Sequence, residues 1–338
     1  MENIQVTRPI ELLDDNGNIT QPGYAVKSDI YVYERSKIKA NPTRIKEWDF
    51  YQINTDRYVA QINIFDISIG GAVTFSLRDL ETDKKEEDMT LDLLTMGSFK
   101  LPESAEKPHT IEYNRHGCIL KIEVADGKRH IYYKKGKSEA DVLLRMQDNH
   151  ESLVMAVPFK EKGHFYYNQK MNCMTAEGFI KSKSLRADLD PKNSFCVLDW
   201  GRGVWPYKVD WYWGNGTTFL DDGKIFGFEI GWGFGDMSAA SENTLFYDGK
   251  AHKIGNIVMY NNESNLLDPW VFKSDDGRFS MTMVPVSDNH TKTKVGNAVG
   301  MECHQVFGKW SGTAVLDDGR VIEVKNMTAF CEKCNNRW

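Results

Sequence analysis

The chain has 338 residues, of which 41% are hydrophobic and 12% aromatic, and its formal net charge is −6. These values predict a folded protein with a substantial core and exclude a disordered chain. The mildly acidic balance also argues against nucleic acid as a partner, because phosphate binding requires a concentrated positive field.

The N-terminal residues contain neither a basic nor an apolar segment, so we predict no targeting signal and a cytoplasmic location. The longest apolar run, 153–159, is far shorter than the roughly 20 residues of a transmembrane span. The basic and aromatic run 127–137 leaves peripheral contact with a membrane open, although a solvated hairpin is the simpler interpretation. The six cysteines are scattered, and we predict that they are reduced.

Alternation of apolar and polar residues dominates the chain and predicts strands with one dry and one wet face. It appears in 73–78, in 120–124 and over nine residues in 226–234. Asp-Gly and Asn-Gly pairs separate such runs and favour tight hairpin turns. A helical period is scarce, and only 138–146 is expected to hold a helical turn or two. The pattern is typical of an all-β protein with long antiparallel hairpins.

The polar stretch 181–193 is expected to connect two halves, because the composition changes across it. Trp48 is the only tryptophan before residue 199, and the other eight follow. We therefore predict two β-barrel-like domains, 1–185 and 186–338, the second of which carries the tryptophan-rich segment.

That segment, 198–214, gathers four tryptophans around Asp199 and Arg202. Two glycines and a proline within 199–206 predict a bulge or corner there. Arg202 then has two interpretations. It either pins the corner by a bidentate pair with Asp199, or it contacts the anionic head of a ligand.

Two strands of the second half suggest a pocket. On a strand that begins after Pro206, the alternation places Tyr207, Trp211 and Trp213 on one face. In 226–235 one face consists mostly of glycines, which leaves room either for close approach of another backbone or for a ligand.

Other polar residues are weaker candidates. Glu242 and His304 could exchange a proton if the fold brings them together, and Asn243 and Gln305 lie next to them in the sequence. Cys331 and Cys334 supply half of a zinc site, but Cys303 and His304 would point to opposite faces of a strand and could not both complete it. We predict neither a metal site nor a cofactor.

The run 198–207, Leu-Asp-Trp-Gly-Arg-Gly-Val-Trp-Pro-Tyr, resembles the signature of a bacterial family called domain of unknown function 2804. The features that fit this family in order along the chain are 46–51, 151–153, 169–171, 176–178, 242–243, 268–270, 305–308 and 336–338. The resemblance implies two lipocalin- or calycin-like antiparallel β-barrels in tandem, similar to carotenoid hydratases and tocopherol cyclases. Those proteins act on or carry apolar molecules. The resemblance carries over no catalytic residue.

Three functions stay open at this level, and none of them predicts the oligomeric state. The first is binding of a small hydrophobic, lipid- or isoprenoid-like molecule in the second barrel. Its predicted contacts are Arg202, Trp205, Tyr207, Trp211, Trp213, Asn243 and Gln305. The second is a hydratase, isomerase or cyclase in which Asp199 or Glu242 protonates a double bond, with His304 as a further candidate. The third is a structural scaffold whose barrels are filled by side chains.

Overall fold

The computed structural model describes residues 3–295 and 299–337. Nearly all of it is β-structure, with two short 3-10 helices at Arg35–Lys37 and Pro42–Arg44. The first twelve strands are β1 (Ile10–Glu11), β2 (Gly23–Ala25), β3 (Tyr31–Val32), β4 (Ile45–Asn54), β5 (Tyr58–Asp66), β6 (Gly70–Asp79), β7 (Lys84–Leu93), β8 (His109–Arg115), β9 (Cys118–Ala125), β10 (Lys128–Lys135), β11 (Ser138–Arg145) and β12 (Leu153–Pro158). The others are β13 (Phe165–Lys181), β14 (Arg186–Leu189), β15 (Phe195–Val204), β16 (Lys208–Phe219), β17 (Ile225–Trp232), β18 (Thr244–Tyr247), β19 (Lys250–Lys253), β20 (Ile257–Tyr260), β21 (Trp270–Ser274), β22 (Phe279–Val295), β23 (Val299–Val315) and β24 (Val321–Arg337).

These strands form two large, curled antiparallel sheets. The first has thirteen strands, with the main order β7-β6-β5-β4-β15-β13-β11-β10-β9-β8 and with β2, β12 and β14 paired beside that path. The second has nine strands in the order β19-β18-β17-β16-β24-β23-β22-β21-β20. Strands β1 and β3 form a separate parallel pair. The predicted fold class, all-β with two lipocalin-like barrels in tandem, is confirmed.

Each sheet encloses its own apolar core. The concave side of the first buries, among others, Tyr51, Phe75 and Trp200. The interior of the second is filled with large aromatic and methionine side chains, which include Phe228, Trp270, Phe272, Trp310 and Met283. Stacked rings tighten this second core, since the centroids of Phe272 and Trp310 lie 4.4 Å apart. The aromatic residues of the second half thus act largely as core bulk.

The change from one sheet to the next falls later than the predicted boundary at 185. Strands β14 and β15 both pair with β13, so the first sheet extends to Val204 and the second begins at Lys208. The stretch 181–193 is polar because it forms a hairpin at the edge of the first sheet. A polar composition indicates exposure to solvent and does not by itself indicate a domain boundary. Here the exposed segment is a turn within one sheet.

The predicted bulge or corner over 199–206 is wrong for most of its length. Residues up to Val204 lie in β15, and over 198–204 this strand pairs in continuous register with both β13 and β4. The glycines serve close packing within this regular strand. A Cβ at Gly201 would lie 1.9 Å from the Trp48 ring, and one at Gly203 would lie 2.4 Å from the Phe165 carbonyl oxygen.

Two further local predictions are corrected. Residues 138–146 contain no helical turn, because 138–145 form strand β11 and alternate between buried and partly exposed positions. Cys303 and Cys334, which face each other on β23 and β24, form a disulfide, so the prediction that all cysteines are reduced is wrong for this pair. Cys118, Cys173, Cys196 and Cys331 are free and buried.

The glycine-rich face of β17 is covered by side chains of other elements. A Cβ at Gly227 would lie 2.6 Å from Cys173 Sγ and 2.7 Å from Asn172 Oδ1, both from a bulge in β13. This face therefore supports close approach of the first sheet to the second. Among residues 3–295 and 299–337, no helix is long and apolar enough to span a membrane.

Candidate functional site

The candidate site lies where the outer faces of the two sheets pack against each other. Alternate residues of β15 point to opposite faces. Trp200 and Arg202 point into the first barrel, whereas Asp199 points toward the second sheet. Lys170 on β13 stands directly opposite Asp199 in the strand register. The interface therefore receives a cross-strand ion pair from the first sheet.

Lys170 is the centre of this interface. Its side chain is 3% exposed, and its Nζ lies 3.0 Å from Asp199 Oδ2 and 3.8 Å from Glu242 Oε1. The ammonium also sits 3.9 Å from the ring centroid of Trp213, at a cation–π distance. Burial alone would lower the pKa of Lys170, but the nearby charges of Asp199, Glu242 and Glu229 outweigh it and raise the pKa. Lys170 is therefore a buried cation.

Glu242 reaches the same point from the segment that precedes β18. The Tyr166 hydroxyl donates to its Oε1 at 3.0 Å. Burial raises the pKa of Glu242, while Lys170 opposes that change and Asp199 adds to it. Gly231 on β17 makes room for this carboxyl group, since a Cβ there would lie 2.0 Å from Glu242 Oε2. The absence of a side chain at Gly231 is thus a requirement of the site.

Glu229 lies on β17 and is completely buried. Three donors meet its carboxylate: Trp213 Nε1 at 2.7 Å, Asn172 Nδ2 at 3.1 Å, and the side-chain amide of Asn215. These hydrogen bonds favour the ionised form, but burial dominates and raises the pKa of Glu229 to about 8. The donors hold the group in place whether or not it carries a proton.

Glu332 on β24 is the fourth buried carboxyl group. Trp211 Nε1 donates to it at 2.9 Å, and Gln305 Nε2 donates at 3.3 Å. Gln305 also donates to Gln52 of the first sheet at 3.1 Å, so the network crosses the interface. Burial raises the pKa of Glu332 to about 7, although the Trp211 hydrogen bond and Lys170 oppose the change.

Aromatic side chains cover one side of the charged cluster. Trp205 has its ring centroid 4.7 Å from Trp48 and 4.7 Å from Phe234. Phe234 also contacts Tyr166 at 4.5 Å and Trp211 at 5.3 Å. Of these five, Trp48 and Trp211 are only partly buried. Together the five side chains form an aromatic rim between solvent and the carboxyl groups.

Four carboxyl groups and one lysine meet in a volume from which water is largely excluded. The raised pKa values of Glu229, about 8, and Glu332, about 7, mean that the folded protein retains protons here near neutral pH, and burial raises the pKa of Glu242 as well. A cluster that holds both a protonated carboxyl group and an ion-paired carboxylate can act as acid and base. The arrangement is therefore suited to acid–base chemistry.

The retained protons predict how stability depends on pH. The folded-state pKa values of Glu229 and Glu332 lie above the ordinary glutamate value of 4.5, so the unfolded chain loses these protons first as pH rises. We therefore expect the free energy of unfolding to fall between about pH 5 and 7, by on the order of 1 kcal/mol per pH unit for each group. Urea denaturation across this range measures the slope.

The matched variants for this prediction are Glu229→Gln and Glu177→Gln. Glu177 forms a half-exposed ion pair with Arg145, and its replacement should leave the slope unchanged. Glu229→Gln should reduce the slope, and an unchanged slope would contradict the raised pKa. Burial lowers the pKa of Lys253 to about 7. Above that pH the folded protein loses this proton before the unfolded chain does, so Lys253 makes the free energy of unfolding rise with pH, but only above about pH 7.

Arg202, a predicted ligand contact, lies inside the first barrel. It is fully buried and pairs with Asp49 at 2.9 Å instead of with Asp199. Its remaining hydrogen bonds go to the carbonyl oxygens of Trp48, Gly201 and Pro102. Because all five of its N–H groups have protein acceptors, Arg202 has no donor left for a ligand in this conformation. The expected pair with Asp199 is therefore not formed, and Arg202 is held instead by Asp49 and by backbone carbonyl groups of the first barrel.

The other predicted residues divide into two groups. Asp199, Glu242, Trp205, Trp211, Trp213 and Gln305 come together at the interface between the sheets. Tyr207, His304 and Asn243 do not join them. Tyr207 is 52% exposed, and His304 pairs with Asp288 on the opposite face of β23 from Gln305. Asn243 is buried between Gly231 and Gly255, to whose backbones it is hydrogen-bonded.

Comparison with known families agrees with the resemblance noted in the sequence. The family described as domain of unknown function (DUF2804) matches residues 3–338. The chain belongs to this family. No match is found among curated protein sequences.

Solved structures with similar folds are distant in sequence from this DUF2804 protein. Kievitone hydratase from Nectria haematococca is 12% identical with a TM-score of 0.53, and the alignment covers 91% of this chain and 93% of the hydratase. A protein assigned as AttH from Nitrosomonas europaea is 11% identical with a TM-score of 0.51, over 89% of this chain and 95% of that one. CghA is 10% identical with a TM-score of 0.51, over 88% and 89%. At these identities the likeness shows the shared fold.

Lys170, Tyr166, Glu229 and Glu332 are site residues of the DUF2804 protein that the sequence did not single out as such. For two of them a signal existed. Lys170 is a lone charge in an otherwise uncharged run, 164–176, and Glu229 is the one charged residue among the glycines of 226–235. When alternation assigns a charged residue to a packed face, its charge requires a buried partner. Such a position can be recognised in the sequence before the partner is known.

Proposed function

We propose that this DUF2804 protein is an acid–base enzyme that binds a small apolar molecule between its two sheets and protonates a carbon–carbon double bond. The reaction class is that of a hydratase, isomerase or cyclase. The observation that carries the proposal is the buried group of Lys170, Asp199 and Glu242, in which one cation contacts two carboxyl groups at 3.0 and 3.8 Å. Burying such charges costs desolvation free energy, and a scaffold whose barrels are merely filled by side chains does not require them.

In this proposal Glu242 is the acid. Burial raises the pKa of Glu242 and so favours the protonated form, and the Tyr166 hydroxyl fixes the orientation of that group. Glu242 transfers the proton to one carbon of the double bond, whose π electrons form the new C–H bond. The resulting positive charge on the neighbouring carbon faces the aromatic rim, which contributes about 1–2 kcal/mol per well-placed ring.

Asp199 is the base that completes the reaction. Its carboxyl group is held in place by Lys170 at 3.0 Å and by the Asn168 side-chain amide. In hydration a water molecule attacks the cation and Asp199 accepts the proton that the water loses. In isomerisation or cyclisation Asp199 accepts a proton from an adjacent carbon. Because Lys170 contacts both carboxyl groups, the proton that Asp199 has accepted can return to Glu242, either by exchange through the Lys170 ammonium or through solvent.

The binding region in this proposal is the aromatic rim and not the interior of the second barrel. That interior is occupied by Phe228, Phe272 and Trp310. Trp48 and Trp211 are partly exposed and border the buried carboxyl groups, so an apolar substrate would enter by displacing them. Aromatic walls with a few fixed polar groups are typical of sites for apolar ligands.

The experiment begins with ligands identified by native mass spectrometry of protein purified from a lipid-rich expression strain, together with a panel of isoprenoid alkenes. Each compound is incubated with the protein in D₂O. We expect a product with one new carbon-bound deuterium, or with the added mass of one D₂O. Glu242→Gln should reduce the rate by about 10²-fold or more, because the acid is lost while the shape is kept.

Two further variants make this test sharper. Gly231→Ala should also reduce the rate, because its Cβ would occupy the position of Glu242 Oε2. Gly300→Ala should not, because a Cβ there would meet only the Thr293 carbonyl oxygen, at an ordinary contact distance of 3.7 Å. A compound that binds equally to wild type and Glu242→Gln without deuterium uptake would indicate a carrier. A protein that neither binds nor labels any compound would be a filled scaffold, and the proposal would be rejected.

A further inference from the structure

A second cluster of ionisable side chains lies outside the proposed active site, on the long hairpin of β22 and β23. His290 and His304 are directly opposite each other in the register of these strands. Their rings are stacked with centroids 4.0 Å apart and planes 5° apart. They lie on the face opposite to that of Cys303 and Gln305, since adjacent residues of a strand point in opposite directions.

Two carboxylates accompany the histidines. Glu302 Oε1 lies 3.1 Å from His290 Nε2, and Asp288 Oδ2 lies 2.7 Å from His304 Nδ1. One ligand atom each from His290, Glu302 and His304 can be chosen so that all three lie within 4.8 Å of one another. They are held on regular antiparallel strands and not on a loop, so the geometry is set by backbone hydrogen bonds.

We propose that His290, His304 and Glu302 form a binding site for a divalent transition metal, with Zn²⁺ as the representative ion. Two imidazoles and one carboxylate are the ligand set of zinc sites that keep a fourth position for water or for a partner's group. Asp288 accepts the Nδ1 proton of His304, which leaves Nε2 of that ring as the metal ligand. Such a carboxylate–histidine contact orients a metal-ligating ring.

Lys292 offers a test that separates a metal site from a simple cross-strand ion-pair lattice. Its Nζ lies 3.0 and 2.9 Å from the two carboxylate oxygens of Glu302 and so occupies the oxygen that the metal would take. Bound metal must displace this ammonium. Removing the ammonium should therefore strengthen metal binding, whereas in a plain ion-pair lattice it would only remove a contact.

The test uses the full chain, stripped with EDTA and titrated with ZnCl₂ near neutral pH by isothermal calorimetry. We expect one equivalent to bind at this site. His290→Gln and His304→Gln should each weaken the affinity by about tenfold or more, and Asp288→Asn by about 10- to 100-fold. Lys292→Gln should strengthen it. All four positions are at the surface or partly exposed, so these variants should fold.

The matched control is His130→Gln. His130 also lies between two carboxylates on neighbouring strands, 2.7 Å from Asp141 and 3.7 Å from Glu123, but within residues 3–295 and 299–337 it belongs to no group of three potential metal ligands. Its replacement should leave Zn²⁺ binding unchanged. Wild-type protein that takes up no Zn²⁺, or equal uptake by wild type and the His290→Gln/His304→Gln double variant, would overturn the proposal.

A third outcome would also overturn it. When the Cys303–Cys334 disulfide is reduced, Cys303, Glu332 and Cys334 form another possible ligand group, on the buried face of β23 and β24. Loss of Zn²⁺ binding in Cys303→Ser but not in the histidine variants would assign the metal to that group. Cobalt substitution distinguishes the two sites, because thiolate ligands give an intense near-ultraviolet charge-transfer band that imidazole and carboxylate ligands lack.

Discussion

Lys170→Met is expected to lower the free energy of unfolding by about 3–5 kcal/mol. The variant keeps much of the volume of the side chain but removes the cation that lies 3.0 Å from Asp199 and 3.8 Å from Glu242. These carboxyl groups then lie in the interface without their counter-charge, and at least one of them must take up a proton for the protein to fold. Chemical denaturation at neutral pH, with the same probe for both proteins, measures the difference.

The control for Lys170 is Lys224→Met. Lys224 also pairs with a carboxylate, Asp248 at 2.6 Å, but both side chains are more than 40% exposed. Exposed pairs contribute about 0–1 kcal/mol, so the control should be nearly neutral. The loss in Lys170→Met should shrink as pH falls, because protonated carboxyl groups no longer need the cation. A loss below about 1 kcal/mol at neutral pH would mean that the carboxyl groups are already neutral in the folded protein.

Arg202→Met is the second substitution with a large expected effect, also about 3–5 kcal/mol. It leaves Asp49 buried without its cation, and it leaves the carbonyl groups of Trp48 and Pro102 without the donors that satisfy them. Arg202→Lys should recover only part of the loss. A lysine has three donors on one nitrogen and cannot reproduce a planar fork with five. Thermal and urea denaturation measure both variants.

Arg186→Met is the matched control for Arg202. Arg186 donates two hydrogen bonds to Asp188, at 2.9 and 2.6 Å, but both side chains are more than half exposed. We expect a change of about 0–1 kcal/mol there. If Arg202→Met folded with wild-type stability and lost ligand binding instead, Arg202 would be a functional contact and its proposed structural role would be refuted.

The contrast between Asp199 and Arg202 illustrates how one strand serves two purposes. They are three residues apart, an odd number, so a regular strand places them on opposite faces. Arg202 therefore joins the core of the first barrel, and Asp199 joins the interface with the second sheet. The sequence permitted a pair between them only if the chain bent at that point, and the two ladders of β15, both continuous from 198 to 204, show that it does not.

Part of the candidate site was predictable from residue types. Asp199, Glu242 and the tryptophans of 205–213 were recognisable as polar and aromatic groups in an unusual context. Whether they line the second barrel or the interface between the sheets could not be predicted, because alternation reveals that a strand has two different faces but does not say which neighbour each face meets. Trp211 and Trp213 turn away from the second core and donate to Glu332 and Glu229 at the interface.

The sequence by itself determined the all-β fold, the paired lipocalin-like architecture and the family, because alternation, Asp-Gly turns and the signature at 198–207 are local properties of the chain. Tertiary structure alone decided which charges meet. Lys170 and Glu242 are far apart in the sequence, as are Gln52 and Gln305, and each pair meets only because the outer faces of two sheets dock. Likewise, His290 faces His304 only through the register of a long hairpin. Contacts of this kind depend on how complete sheets pack, which no local pattern records.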